Sequence, residues 1–184
     1  MKHLFLLVLT AFSTVITLAQ PKHLEAIEDR LLTWDDFKGR HQSDAFDAYT
    51  FTYIDIQPRK VNPSDPIPDY KATCFFASKE STVSKEFLKS KPDSIKKHVL
   101  NHEQGHYDLA RIATAEINSI LAKFNYNQRR SVYQADSIFR SVNNKLRATQ
   151  LLYDKETNHS KIYQEQQKWD VLIAESMRKS KLPL

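Results

Sequence analysis

From Asp93 to Leu182 the chain contains no proline, and Gly105 is the one glycine in that stretch. Proline removes a backbone donor and clashes with the preceding turn. Glycine costs about 1 kcal/mol against alanine inside a helix, so so long a run nearly free of both is suited to helices. The apolar residues agree. They recur at Val99, Leu109, Ile112, Ala113, Ile117, Ile120 and Leu121, then at Val132, Ala135, Ile138, Phe139, Val142 and Leu146, then at Ile162, Trp169, Ile173 and Met177. This is close to the spacing of a single helix face. Pro92, Asp93 and Ser94 form an N-terminal signal for the first helix. The pattern predicts three helices, from Ser94 to about Phe124, from Asn127 to about Leu152 and from about Lys161 to Lys179.

The preceding half has a different period. Pro21, Pro58, Pro63, Pro66 and Pro68 fall there, and "YTFTYIDIQ" (Tyr49 to Gln57) alternates apolar with polar residues, as a half-buried strand does. "KATCFFASK" (Lys71 to Lys79) reads as a second strand, with the proline-rich "PRKVNPSDPIPDY" as the loop between them. Sheet first and helices afterwards indicate an α+β fold, with a small antiparallel or mixed sheet followed by about three helices. A length of 184 residues favours one domain with a real core.

The first residues stand apart. "MKHLFLLVLTAFSTVITLAQ" places Lys2 before an apolar run from Leu4 to Val15 and small residues before a cut ahead of Gln20, the layout of an export signal. The run is shorter than the roughly 20 residues that span a bilayer, which argues against a stable membrane span. Residues 1–19 are therefore expected to be a signal peptide and 20–184 the folded domain, secreted or periplasmic. No cysteine stands at the cut to take a lipid. Cys74, the only cysteine, rules out an internal disulfide, and its apolar neighbours make it a buried, inert thiol. The net charge of +5 is spread along helical faces without interleaved aromatics, which speaks against nucleic acid as a partner.

The chemistry concentrates in "HVLNHEQGHYDLA", His98 to Ala110. Residues four apart share a helix face about 6 Å apart along the axis, so His102 and His106 can point imidazole nitrogens at one ion. Glu103 lies beside that ion and can take a proton from a water bound to it, which is the physical content of the H-E-x-x-H pattern. His98 and His102 have the same spacing, but only the 102/106 pair encloses the glutamate. His98 reads as a surface side chain. Gly105 leaves room for another backbone or a substrate to approach the helix.

A catalytic zinc site needs a third protein ligand and an open position. The metzincin extension fails, because Leu109 and Ile112 stand where glycine and histidine are required. Glu116 is about 15 Å beyond His106 along the helix. The best source is "YDKETNHSK", Tyr153 to Lys161, expected between the second and third helices. His159 is the preferred ligand, with Glu156 or Glu165 behind it, and Asp154 is a carboxylate that could orient an imidazole. Asp154, Thr157 and Asn158 also read as plain helix caps.

Three ordered segments, "LTWDDFKG" (Leu32 to Gly39), "LNHEQGHYDLA" (Leu100 to Ala110) and "YDKETNHS…QQKW" (Tyr153 to Trp169), together resemble domain of unknown function 922. That is a family of bacterial, mostly secreted proteins described as predicted zinc-dependent proteases. The resemblance implies zinc on His102 and His106 with Glu103 as base, and it draws attention to Tyr153, Asp154, Thr157 and His159. The family usually has glycine after that histidine, where this chain has Ser160, so the loop after His159 is expected to be shaped differently. Trp34 and Phe37 read as core anchors, Gly39 as a turn, and Trp169 as core.

The sequence thus predicts an exported α+β metallohydrolase with a zincin-like core. Its expected ligands are His102, His106 and His159 on Zn²⁺, its base is Glu103, and its substrate is a peptide or protein. The alternatives are a noncatalytic exported binding protein with a structural metal, and a metal-dependent amidase acting on cell-wall peptides.

Overall fold

The computed structural model describes residues 24–25, 27, 30–42, 45–59, 69–126 and 130–184. The expected signal peptide lies outside them, as does most of the proline-rich loop. The fold is α+β. The strands are β1 (Leu24–Glu25), β2 (Ala48–Tyr49), β3 (Thr52–Arg59), β4 (Asp69–Ala77) and β5 (Thr82–Val83). A short helix α1 (Lys85–Ser90) precedes the long helices α2 (Asp93–Leu121), α3 (Ser131–Thr157) and α4 (Tyr163–Lys179). One antiparallel sheet has the order β1-β4-β3, and β2 pairs with β5 in a second.

The alternation in "YTFTYIDIQ" becomes β3. Ile54 and Ile56 pack on the core while Tyr53 faces outward, and Thr52 to Arg59 run opposite Phe76 to Asp69 of β4. The predicted first strand is broken: Tyr49 belongs to the β2–β5 pair instead. Beyond the reach of β1, the backbone of Ala72 on β4 is satisfied by a side chain. Asn118 accepts from its N–H at 2.8 Å and donates to its carbonyl at 2.9 Å, which locks the sheet to α2.

The central element is α2, against which β4, α3 and α4 all pack. Its buried side chains, among them Val99, Tyr107, Leu109, Ala110, Ala113, Ile117 and Leu121, follow the predicted stripe. So do Ala135, Ile138, Val142 and Leu146 on α3 and Trp169, Ile173 and Met177 on α4. Val132 and Ile162 depart from it: Val132 lies in the first turn of α3 and Ile162 caps α4, and both are exposed.

The "LTWDDFKG" segment is fastened across α2. The backbone N–H of Leu32 donates to Gln104 Oε1 at 2.7 Å, and Tyr107 Oη bonds both the N–H and the carbonyl of Ile27 at 3.0 Å. Phe37 is buried edge-on against Phe76, and Trp34 tilts over Phe37 and meets Phe87 edge-on, so both aromatics are core anchors. Gly39 is demanded by packing. A Cβ there would sit 2.6 Å from the carbonyl oxygen of Lys79 and 2.8 Å from that of Ser81. Among the described residues no helix is long and apolar enough to cross a membrane.

Candidate metal centre

His102 and His106 point into a cleft of about 870 Å³. The segment Ala45–Thr52 forms one wall, α2 and α3 form the others, and His159 stands among the lining residues with Ser160 and Lys161. Asp154 lies in the last turn of α3, which runs one turn further than its apolar stripe predicts. Its extension carries Tyr153 and Asp154 alongside α2, and the helix stops at Asn158, whose φ of 46° makes a left-handed cap.

The donor atoms gather around Asp154. His102 Nε2 and His106 Nε2 are 3.3 Å apart. Asp154 Oδ1 lies 3.2 Å from the first and 3.0 Å from the second, and 3.2 Å from His159 Nδ1. Two nitrogens each about 2.0–2.1 Å from a shared tetrahedral ion stand about 3.4 Å apart, so the histidine pair has the separation zinc requires. One donor atom each from His102, Asp154 and His159 lie within 4.8 Å of one another.

Protons decide what this cluster can hold. His102 Nδ1 meets Gln166 Oε1 at 3.0 Å. Which end of that amide faces the ring is settled by its other contacts: Gln166 Nε2 donates to Tyr153 Oη at 2.7 Å and to Asp170 Oδ1 at 2.8 Å. The oxygen must therefore accept from His102 Nδ1–H. Gln150 repeats the arrangement, its Nε2 donating to the carbonyl of His106 at 3.2 Å and its Oε1 accepting from His106 Nδ1–H. With Nδ1 protonated on both rings, each neutral imidazole turns a bare Nε2 lone pair toward the other and toward a carboxylate. Such a cluster needs a cation or extra protons at its centre.

The electrostatics carry the same message. Burial pushes the Asp154 carboxyl up, but with those extra protons on Nε2 the hydrogen bonds from His102 and His106 and the charge of their rings outweigh it and hold it well below the usual carboxylate range. Burial lowers His106, yet Asp154 and Glu103 beside it raise it on balance. Glu103 is buried on the cleft wall, and among the described residues its Oε2 has no hydrogen-bond partner. A buried carboxylate oxygen left unpartnered costs about 1–3 kcal/mol or more, so its retention calls for a ligand or a role.

Tyr153 ties the two histidines together. It is fully buried, its ring stacks on His102 at 4.6 Å and meets His106 edge-on at 5.0 Å, and its Oη donates to the carbonyl of His102 at 3.2 Å. Gly105 exists for this ring: a Cβ there would lie 2.4 Å from Tyr153 Oη. A tyrosine side chain, rather than a backbone or a substrate, occupies the space that glycine leaves.

The residues predicted for the site are thus brought together, with differences of role. Asp154 sits among the nitrogens of His102, His106 and His159 and not behind one of them. Glu156 accepts from Trp169 Nε1 at 2.8 Å and Glu165 pairs with Lys168 at 2.7 Å, so both alternative ligands are engaged elsewhere, and neither lines the cleft. His98 is half-buried, not a surface residue, with Nε2 2.6 Å from the carbonyl oxygen of Ser160. Ser160 adopts φ 69°, in the region that favours glycine. Sequence reasoning missed Gln150, Gln166 and His98. Gln150 stands four residues before Asp154, a spacing that puts it on the same face of α3, but its pairing with His106 depends on how α3 meets α2.

The family model of bacterial proteins of unknown function, DUF922, matches residues 20–160. Searches of curated proteins and of solved structures found no match. The matched segment ends at the loop carrying His159, and Gln166 on α4 lies just beyond it. It contains His102 and His106 of α2 together with Glu103, Asp154 and His159, and the chain belongs to the DUF922 family of bacterial proteins of unknown function.

Proposed function

We propose that this chain is an exported zinc-dependent metallohydrolase of zincin-like design, most simply a peptidase. The observation that carries the reading is the cluster of Nε2 lone pairs on His102 and His106 facing Asp154 Oδ1, with the histidine protons committed to Gln166 and Gln150. His102 and His106 would hold the metal, joined by His159 or Asp154 from the end of α3. Zinc bound by such donors acidifies a water toward neutral pH and polarises the carbonyl it attacks.

Proton transfer falls to Glu103. Its unpartnered Oε2 on the cleft wall would take the proton from the attacking water and return it to the departing amine nitrogen. The cleft has the size of ordinary ligand sites. Its lining mixes apolar Ala48, Phe51, Val99 and Leu146 with polar Thr50, Asn143 and Gln150, a surface suited to an extended peptide. Export rests on the signal-like first 19 residues.

A second reading follows from Asp154. Its Oδ1 lies within 3.2 Å of a nitrogen of each of the three histidines, so four protein donors are available to close the shell, as in structural sites. The deciding experiment is zinc content by mass spectrometry with peptide hydrolysis, on the parent and on Glu103→Gln. One zinc per chain in both, with hydrolysis only in the parent, supports the peptidase. Zinc in both with no hydrolysis of a peptide library or of purified cell wall leaves the structural metal, and hydrolysis of cell wall alone makes it an amidase. An absence of zinc after loading overturns both readings.

A further inference from the structure

The segment Asn158, His159 and Ser160 has three consecutive positive φ angles, 46°, 51° and 69°. Asparagine and histidine tolerate this region better than most residues, and serine less well. No glycine relieves it, so neighbouring contacts must hold the conformation. Within the segment, the N–H of His159 reaches the carbonyl of Asp154 at 3.0 Å, and the N–H of Ile162 reaches that of Thr157 at 2.8 Å. Both bonds continue the end of α3. Neither ties the segment to α2, on which the other histidines stand.

That tie comes from His98. It lies one turn before His102 on the same face of α2, its Nε2–H donates to the carbonyl of Ser160 at 2.6 Å, and its ring stacks on Tyr163 at 3.8 Å with only 8° between the planes. The stack fixes the ring plane, and the hydrogen bond then fixes Ser160. One residue away, the His159 side chain is 38% exposed. Among the described residues its side chain meets Asp154 through Nδ1 at 3.2 Å and the ring of Phe46 at 4.4 Å. A half-exposed imidazole keeps its place in such a cluster only if its backbone is fixed.

We infer that His98 is a positioning residue that straps the left-handed segment to α2 and so sets His159 against Asp154 and His102. The strap itself is independent of any metal; its consequence for zinc rests on the function proposed above. A donor at position 98 and relief of the backbone at 160 are two ways to the same end, which makes the inference testable by rescue.

The experiment compares the full chain with His98→Ala, His98→Gln, Ser160→Gly and His98→Ala/Ser160→Gly. Amide hydrogen exchange is followed at residues 158–162 in metal-free protein, and zinc affinity by competition with a chromophoric chelator. His98→Ala is expected to speed exchange at these amides about tenfold or more while those of the α2 core keep their protection. It is also expected to weaken zinc by about 10–100-fold, the range for residues that orient ligands. Glutamine at 98 restores part of both, because its amide can donate to Ser160, and the double variant restores most. Unchanged exchange at 158–162 in His98→Ala overturns the strap whatever zinc does, as does an equal loss of protection throughout α2. If the parent binds no zinc, the proposed function fails, and the exchange data still decide the strap.

Discussion

Replacing Gly105 with alanine is the sharpest test of how this centre is built, because two effects oppose each other. On an unobstructed helix face the change would stabilise the chain by about 1 kcal/mol. Here the new Cβ would lie 2.4 Å from Tyr153 Oη, 2.9 Å from Cζ and 3.1 Å from Cε1, about 1 Å inside ordinary contact at the closest point. Tyr153 cannot swing aside. It is fully buried, wedged between His102, His106 and Trp169, and bonded to Gln166 and to the carbonyl of His102.

Overpacking of this kind costs about 1–3 kcal/mol, and each loosened hydrogen bond about 1 kcal/mol more. The net expectation is a loss of about 1–3 kcal/mol, or roughly 2–4 °C of melting temperature per kcal/mol for a chain of this size. Zinc affinity should fall with it, because the displaced ring carries both histidines. Thermal unfolding of metal-free protein and chelator competition measure the two effects. Tyr153→Phe in the Gly105→Ala background removes the 2.4 Å contact, so the two changes together should cost less than the sum of the singles. A Gly105→Ala protein at least as stable as the parent, with unaltered zinc affinity, would refute the reasoning.

Gln166→Leu keeps the volume but deprives His102 Nδ1–H of its acceptor, so zinc binding should weaken by about 10–100-fold in a chelator competition; parent-like affinity would show that this hydrogen bond does not set the ligand. Cys74 gives a pH signature. Burial, only partly offset by Thr114 and Arg111, pushes its thiol up from its ordinary value to about 12. A raised folded pKa means that the thiol's contribution is complete below about pH 9 and is lost as pH climbs toward 12, because the unfolded chain ionises first. Denaturant titrations should therefore show the parent losing stability relative to Cys74→Ala across that window, and parallel pH curves would contradict the burial. For the same reason a thiol reagent should modify Cys74 only on unfolding.

The sequence by itself determined whatever depends on local period. The proline-free run from Asp93 to Leu182 carried three long helices, the i, i+4 spacing put His102 and His106 on one face, and alternation marked β3. It also named the residues that meet around Asp154, since histidines and carboxylates stand out in "HEQGH" and "YDKETNHS". Tertiary structure decided their relations. The length of α3, one turn beyond its apolar stripe, puts Asp154 among the histidine nitrogens, and its docking on α2 brings Gln150 to His106 and Tyr153 over Gly105. The packing of α4 adds Gln166 from 64 residues away. His98 and the left-handed turn at Ser160 became legible only together, because a histidine on a helix is read from its partner, and a positive φ leaves no pattern in a sequence when no glycine marks it. Periodicity reports which face of an element is buried, whereas the proton positions that turn two Nε2 lone pairs toward one carboxylate are set by side chains that meet only after the helices have packed.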